Sequence, residues 1–202
     1  MKELLAIVMA AVLVNNYVLA QFLGICPFLG VSKKLDQADG MSVAVIFVML
    51  LATAVTYPIQ YFVLNSLGLK YLQTIVFILV IAALVQLVEI ILKKYIPALH
   101  ASLGVYLPLM TTNCAVLGVC ISNIDNYLAD SFGGGFVQAM VNSLGSGLGF
   151  MLAMVLFSGV RSKVDKCNCP ESFKGRPITL ISAAIVSVSF MGFAGIVENL
   201  LG

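Results

Sequence analysis

The sequence predicts an all-α integral membrane protein: six transmembrane helices form a 3+3 inverted repeat, with helices 1 and 4 broken into half-helices at cysteine motifs. Three observations predict this. Hydrophobic residues make up 61% of the 202 residues and charged residues 10%, with a mean hydropathy of +1.07, whereas about a quarter of a soluble domain is charged. Six uncharged runs are each about long enough to cross a hydrocarbon core of roughly 30 Å. Finally, Cys26-Pro27-Phe28-Leu29-Gly30-Val31 returns as Cys114-Ala115-Val116-Leu117-Gly118-Val119. Lys33 and Lys34 follow the first copy, while Cys120-Ile121-Ser122-Asn123-Ile124-Asp125 follows the second. Lysine and arginine mark the cytoplasmic ends of short loops, so the copies are expected to cross in opposite directions, the trace of an inverted repeat. Residues 1–202 form one polytopic domain, with repeat one at about 1–96 and repeat two at about 97–202.

Helix 1 covers Leu4 to Ser32, about 43 Å if continuous at 1.5 Å per residue, more than a bilayer needs. Its apolar part is too long for a signal peptide, and only Lys2 precedes it among basic residues. A break is expected at Gly24-Ile25-Cys26-Pro27. Proline removes a backbone donor, glycine tolerates the dihedrals of an interruption, and Pro27 suits the first position of a new half-helix with Cys26 as N-cap. Helix 2 covers Met41 to Leu69, and helix 3 starts at Tyr71 and meets Glu89 near its end. Helix 4, Ala101 to Ile124, carries Pro108, Thr111, Thr112 and Asn113 at its centre, a second discontinuity. Irregular backbone survives at membrane depth only where protein or a cavity satisfies it, so the two breaks mark an internal site.

Helix 5, Ser131 to Val160, contains Gly133-Gly134-Gly135 and Gly145-Ser146-Gly147-Leu148-Gly149; helix 6, Pro177 to Val197, contains Gly192 and Gly195. These small residues suit close helix packing. No Lys-Ser/Thr pair follows them, so they are not phosphate loops. Lys33, Lys34, Lys93, Lys94, Arg161, Lys163, Lys166, Lys174 and Arg176 fall on one face, leaving Lys2 and Lys70 on the other. The positive-inside rule then puts the first, third and fifth loops in the cytoplasm and both termini on the outer or periplasmic side of the bacterial inner membrane. These basic residues anchor helices at headgroups, and the net charge of +2 implies no nucleic-acid partner. Short loops leave no room for a redox or nucleotide-binding domain, so the chain reads as one component of a larger complex.

Paired intramembrane cysteines differ from a lone one, which is usually an apolar filler, as expected for Cys120. Positive peptide dipoles at the start of a half-helix favour a thiolate, and a metal centre relieves its cost in hydrocarbon. Structural zinc takes four ligands, and His100, the single histidine, sits near a cytoplasmic end. A 2Fe-2S cluster takes four thiolates, two of which a related chain could supply. A Cys26 to Cys114 disulfide is the competing arrangement. Cys167 and Cys169 fall in a loop assigned to the reducing cytoplasm and are expected as thiols.

At Val14-Asn15-Asn16-Tyr17-Val18-Leu19, Phe22 to Lys34, Phe77 to Gln86, Leu107 to Gly118 and Phe190 to Gly195, the chain resembles the NqrDE/RnfAE family along its whole length. It is similar to the A subunit of Rnf complexes and, more distantly, to the E subunit of the Na+-translocating NADH:quinone oxidoreductase. The resemblance implies a membrane subunit of an ion-translocating ferredoxin:NAD+ oxidoreductase, a translocase of the electron transport chain with no complete active site on this chain. It implies a 2Fe-2S cluster shared with the homologous, oppositely oriented E subunit, with Cys26 and Cys114 as this chain's ligands. It also implies flavins on subunits D and G, NADH chemistry on C and further iron-sulfur clusters on B. Cys120, Cys167 and Cys169 lie outside the motif and receive no ligand role.

An electron relay halfway across the membrane offers a coupling point for Na+ or H+, because one charge crossing the full potential is worth about 2.3 kcal/mol per 100 mV. Asn15, Asn16, Thr111, Thr112 and Asn113 offer oxygens for a hard ion. Glu89 is an intramembrane acid, although Lys93 four residues on favours a simple surface pair, and Asn15 and Asn16 equally suit interhelical hydrogen bonds. Two rival classes are an inverted-repeat secondary transporter without a redox centre and a purely structural scaffold. Iron content and paramagnetic resonance discriminate the first; tolerance of serine at the paired cysteines discriminates the second.

Overall fold

The computed structural model describes residues 2–32, 35–65, 68, 70–95, 113–128, 132–164, 166–167, 170 and 175–201. Among them the regular structure is helical throughout, with no strand. Helix α1 (Lys2–Met9) continues into a π-helical turn, Ala10–Val14, and stops; α2 (Ile25–Val31) follows the interruption. Next come α3 (Leu35–Ile59), extended by a second π turn at Gln60–Leu64, and α4 (Gln73–Tyr95), which a short 3-10 turn at Lys70–Leu72 introduces. The second half holds α5 (Cys114–Tyr127), α6 (Phe132–Val164) and α7 (Arg176–Leu201).

Ala38–Leu64, Gln73–Tyr95 and Gly133–Val164 are each long and apolar enough to span a bilayer, and Pro177–Gly192 is a shorter apolar stretch. The chain is a multi-pass membrane protein. Helix α4 shows how lipid replaces a core: Phe77, Ile81, Val85 and Val88 are buried at helical spacing, while Ile75, Ile78, Leu79, Leu87 and Ile90 on its other sides are exposed. A helix apolar all round needs a partner on one side only when hydrocarbon covers the rest.

The 33 residues of α6, about 50 Å of helix, form the spine. Helix α3 runs antiparallel to it: Ile46 meets Gly147, Thr53 bonds Ser143, and Tyr57 meets Phe136 with ring centroids 5.8 Å apart. Helix α1 runs parallel to it, with Val8 and Ala11 at Gly145 and Val12 at Gly149. A β-carbon on Gly147 would lie 2.8 Å from Ile46 Cγ1, and one on Gly149 would lie 3.2 Å from the Ala11 carbonyl oxygen. The expected close packing therefore holds at these glycines. It does not hold at Gly133 and Gly192, which have open space around them, because each sits where its helix faces away from its neighbours.

Candidate functional site

Between the π turn and α2 the chain stays irregular for ten residues, and Asn16 ties this stretch to the bundle. Its Nδ2 donates to the carbonyls of Val12 at 3.3 Å and Gly149 at 2.8 Å, and its Oδ1 accepts from the amides of Val18 and Leu19 at 3.1 and 3.3 Å. Asn16 is 1% exposed, so these four bonds replace water that a membrane interior cannot provide. Ser187 of α7 donates to the Leu19 carbonyl, and the Leu23 amide donates to the Tyr17 carbonyl at 2.8 Å. Phe22, at φ 57°, is held in the left-handed region that bulky side chains avoid. Asn15 is exposed beside these bonds. Of the two asparagines considered for an ion, Asn16 has its oxygen committed to the turn.

Helix α2 starts two residues earlier than expected. Gly24 is its N-cap, with φ 81°, Ile25 is its first residue, Cys26 its second and Pro27 its third. Cys26 is thus inside the helix and not its cap. The left-handed dihedral of Gly24 makes the turn into the helix, and proline is tolerated because first-turn amides have no intrahelical acceptor. The Phe28 amide already reaches the Gly24 carbonyl at 3.3 Å.

In the second copy, Asn113 caps α5 and Cys114 is the first helical residue. Asn113 Oδ1 accepts from the Ala115 amide at 3.1 Å, the usual N-cap bond, while its buried Nδ2 has no hydrogen-bond partner among the described residues. Pro108, Thr111 and Thr112 lie outside the described residues, so the expected helix-4 break is described only from Asn113 onward.

The two interruptions meet. A β-carbon on Gly24 would stand 3.0 Å from Asn113 Oδ1, 3.1 Å from Ala115 Cβ and 3.3 Å from Phe150 Cε2, so the start of α2 rests on the start of α5 near the middle of α6. From there the half-helices diverge. The far end of α2 lies at the C-terminal end of α6, where Arg161 Nη1 donates to the Leu29 carbonyl at 2.6 Å and to Ser32 Oγ at 2.7 Å. The far end of α5 lies at the opposite end of α6: the Tyr127 carbonyl accepts from Tyr57 at 3.0 Å, and Tyr57 packs on Phe136. The motif copies therefore head in opposite directions, as their flanking charges predict.

Cys26 and Cys114 are both exposed on the isolated chain, and neither is in a disulfide. Cys120 is buried on α5 at 1% exposure, and Cys167 is exposed past the end of α6 with Sγ 3.5 Å from the Lys163 carbonyl; Cys169 lies outside the described residues. No group of three or more His, Cys, Asp or Glu side chains able to hold a metal occurs among the described residues. Two thiols at a surface are a donor set for half of a four-thiolate centre. Glu89 is half-buried on α4, and no ion pair joins it to Lys93 among the described residues.

Sequence reasoning missed two features. Arg161 reads as a headgroup anchor from its place at a helix end, yet it turns inward to cap α2. Asn123, Asn142, Ser143 and Thr53 are all buried and link α5, α6 and α3: Asn142 Nδ2 donates to Asn123 Oδ1 at 2.7 Å, Asn123 Nδ2 to Ser143 Oγ at 2.8 Å, and Ser143 and Thr53 hydroxyls are 2.7 Å apart. The legible signal was adjacent Asn142 and Ser143 within an uncharged run.

Residues 4–197 match the family model described as Rnf-Nqr subunit, membrane protein. The chain is 54% identical over 192 residues to the A subunit of the Na(+)-translocating ferredoxin:NAD(+) oxidoreductase complex of Acetobacterium woodii, covering 95% of this chain and 97% of that protein. It is 54% identical over 199 residues to the A subunit of the ion-translocating oxidoreductase complex of Syntrophotalea carbinolica, and 48% identical over 198 residues to the protein of the same description from Azotobacter vinelandii; both alignments cover 98% of this chain and 100% of the relative.

Proposed function

Because the chain belongs to the Rnf-Nqr family of membrane subunits, we propose that it is the A subunit of an ion-translocating ferredoxin:NAD+ oxidoreductase in a bacterial inner membrane. It relays electrons across the membrane, coupled to Na+ or H+ movement. Subunits B, C, D, E and G are its partners, and flavin and NAD chemistry belongs to them. The chain forms a 3+3 inverted repeat of six spans with both termini outside.

The carrying observation is that Cys26 and Cys114 are exposed next to one another's helix starts, where Gly24 and Asn113 touch. Within this chain the thiols of Cys26 and Cys114 would hold two positions of a 2Fe-2S cluster, and the homologous E subunit the other two. When bound, such a cluster supplies one-electron transfer at mid-membrane depth. The chain's own part is to hold the two sulfurs in register: Asn16 fixes the first interruption, Asn113 caps the second, and Arg161 pins the far end of α2. Each lies outside the donor set and acts by orienting it.

Serine at Cys26 or Cys114 in the assembled complex is the direct test. The expected result is loss of one cluster's worth of iron and its paramagnetic signal, with electron transfer from reduced ferredoxin to NAD+ abolished and assembly retained. Full activity in either variant overturns the proposal.

A further inference from the structure

Two cavities flank the half-helix contact, and they differ in chemistry. The larger, about 560 Å³, opens between α1, the first interruption, the end of α5 and the first third of α6, and Asn15, Gln21, Ser122 and Asn142 stand in its polar wall. The smaller, about 230 Å³, is a groove between α2 and α7. Val18, Leu19 and Phe28 form its buried floor, while Phe22, Leu180 and Ala184 are exposed at its mouth. Ser187, the one polar side chain lining it among the described residues, donates to the Leu19 carbonyl. An occupant of this groove is therefore apolar, because a polar group would lose its hydrogen bonds there.

Size and depth narrow the choice. Along α7 the groove runs from Leu180 to Ser187, roughly 10 Å of helix. A volume of about 230 Å³ over that length leaves a cross-section of roughly 20 Å², the girth of one extended hydrocarbon chain and about a quarter of that of a helix 10–12 Å across. A partner helix does not enter it. Ser187 meets Leu19 beside the half-helix contact, and Phe28 stacks on Phe157 one turn before Arg161, so the groove descends from mid-membrane toward the Arg161 face. Ser187 stands eleven residues beyond Arg176, the first residue of α7, or about 16 Å of helix; one leaflet of a core of roughly 30 Å spans about 15 Å. Arg176 falls one turn before Leu180 on the stripe that Ala184 and Ser187 continue, and Lys33 and Lys34 follow α2 in the sequence. The sequence of each wall thus runs into basic residues toward that face, and such residues attract anionic headgroups.

We propose that the groove holds one anionic phospholipid of the Arg161-side leaflet, with an acyl chain between α2 and α7 and its phosphate at Arg176. The site is independent of the electron-relay reading and stands or falls without it. The inner end of the chain touches Phe22 and Ile25, which bracket the Gly24 turn, so the lipid fills the space beside the start of α2 that no side chain takes.

The test uses the full chain, purified in mild detergent with its co-purifying subunits, and a phosphatidylglycerol whose acyl chain ends in a photoreactive diazirine. After irradiation and digestion, label should concentrate in peptides covering residues 18–28 and 180–187 and not in α4, whose exposed Ile78 and Leu79 sample bulk lipid. Unlabelled phosphatidylglycerol should displace the probe at concentrations about fivefold lower than phosphatidylcholine does, and Arg176→Gln should remove that advantage, as expected for one basic contact with an anionic headgroup. Ala184→Trp, which fills the mouth, should abolish label in both stretches, whereas Ile181→Trp, at an exposed position outside the groove, should leave it unchanged. The labelling and competition arms use the unmodified chain, so they decide the matter even if Ala184→Trp does not fold. Label spread evenly over α4 and α7, equal displacement by the two lipids, or unchanged label in a folded Ala184→Trp variant overturns the proposal.

Discussion

The two sides of the half-helix contact are built from homologous motif copies but packed in opposite ways. Toward Arg161, α2 is held on two counts: Phe28 stacks on the fully buried Phe157, and Arg161 bonds Leu29 and Ser32. Toward Tyr127, α5 borders the polar cavity, and interhelical asparagine and hydroxyl bonds take the place of stacked rings. A related sequence pattern therefore supports an apolar half and a polar half at once. Neighbouring helices, not the motif, decide which is which.

This contrast sets a graded series of outcomes. Gly24→Val attacks the point both halves share. A β-branched residue at φ 81° costs about 1–3 kcal/mol in strain, and crowding against Asn113 and Phe150 adds about 1–3 kcal/mol; the variant should fail to assemble, as read by recovery of intact complex in mild detergent. On the apolar side, Arg161→Ala should cost about 2–3 kcal/mol, since it leaves two acceptors of a charged donor unpaired, with Arg161→Lys recovering part. Phe157→Ala should cost about 2 kcal/mol from the cavity it opens, lipid having removed most of the transfer contribution. Thermal unfolding in one detergent compares all three. On the polar side, Asn142→Ala should cost about 0.6 kcal/mol, typical of interhelical hydrogen bonds in membranes. Ala10→Leu, which projects into the cavity, should stay within about 0.5 kcal/mol. The contrast collapses if Ala10→Leu destabilises as much as Phe157→Ala.

Much of this arrangement was legible in the sequence because its causes are local. Long uncharged runs demand helices, Gly24 and Pro27 demand an interruption, and charges after each motif copy indicate direction. The helix starts two residues ahead of the position that proline's first-position preference predicts, because Gly24 turns the chain before Pro27 is reached. Arg161 and the polar cavity were not legible for a different reason. Each depends on segments more than a hundred residues apart, Leu29 with Arg161 and Asn15 with Ser122, and one-dimensional patterns do not report such meetings. Asn16 looked like an ion ligand by type; its four bonds within the turn are visible only in three dimensions.

The contact between Gly24 and Asn113 has a mechanical consequence. It is a shared fulcrum carrying two arms that point opposite ways, seven residues in α2 and fourteen in α5, or roughly 10 and 21 Å. A rigid tilt about that fulcrum sweeps the tip of the longer arm about twice as far as that of the shorter. The larger stroke falls beside the polar cavity, and the smaller one falls where a guanidinium clasps its neighbour.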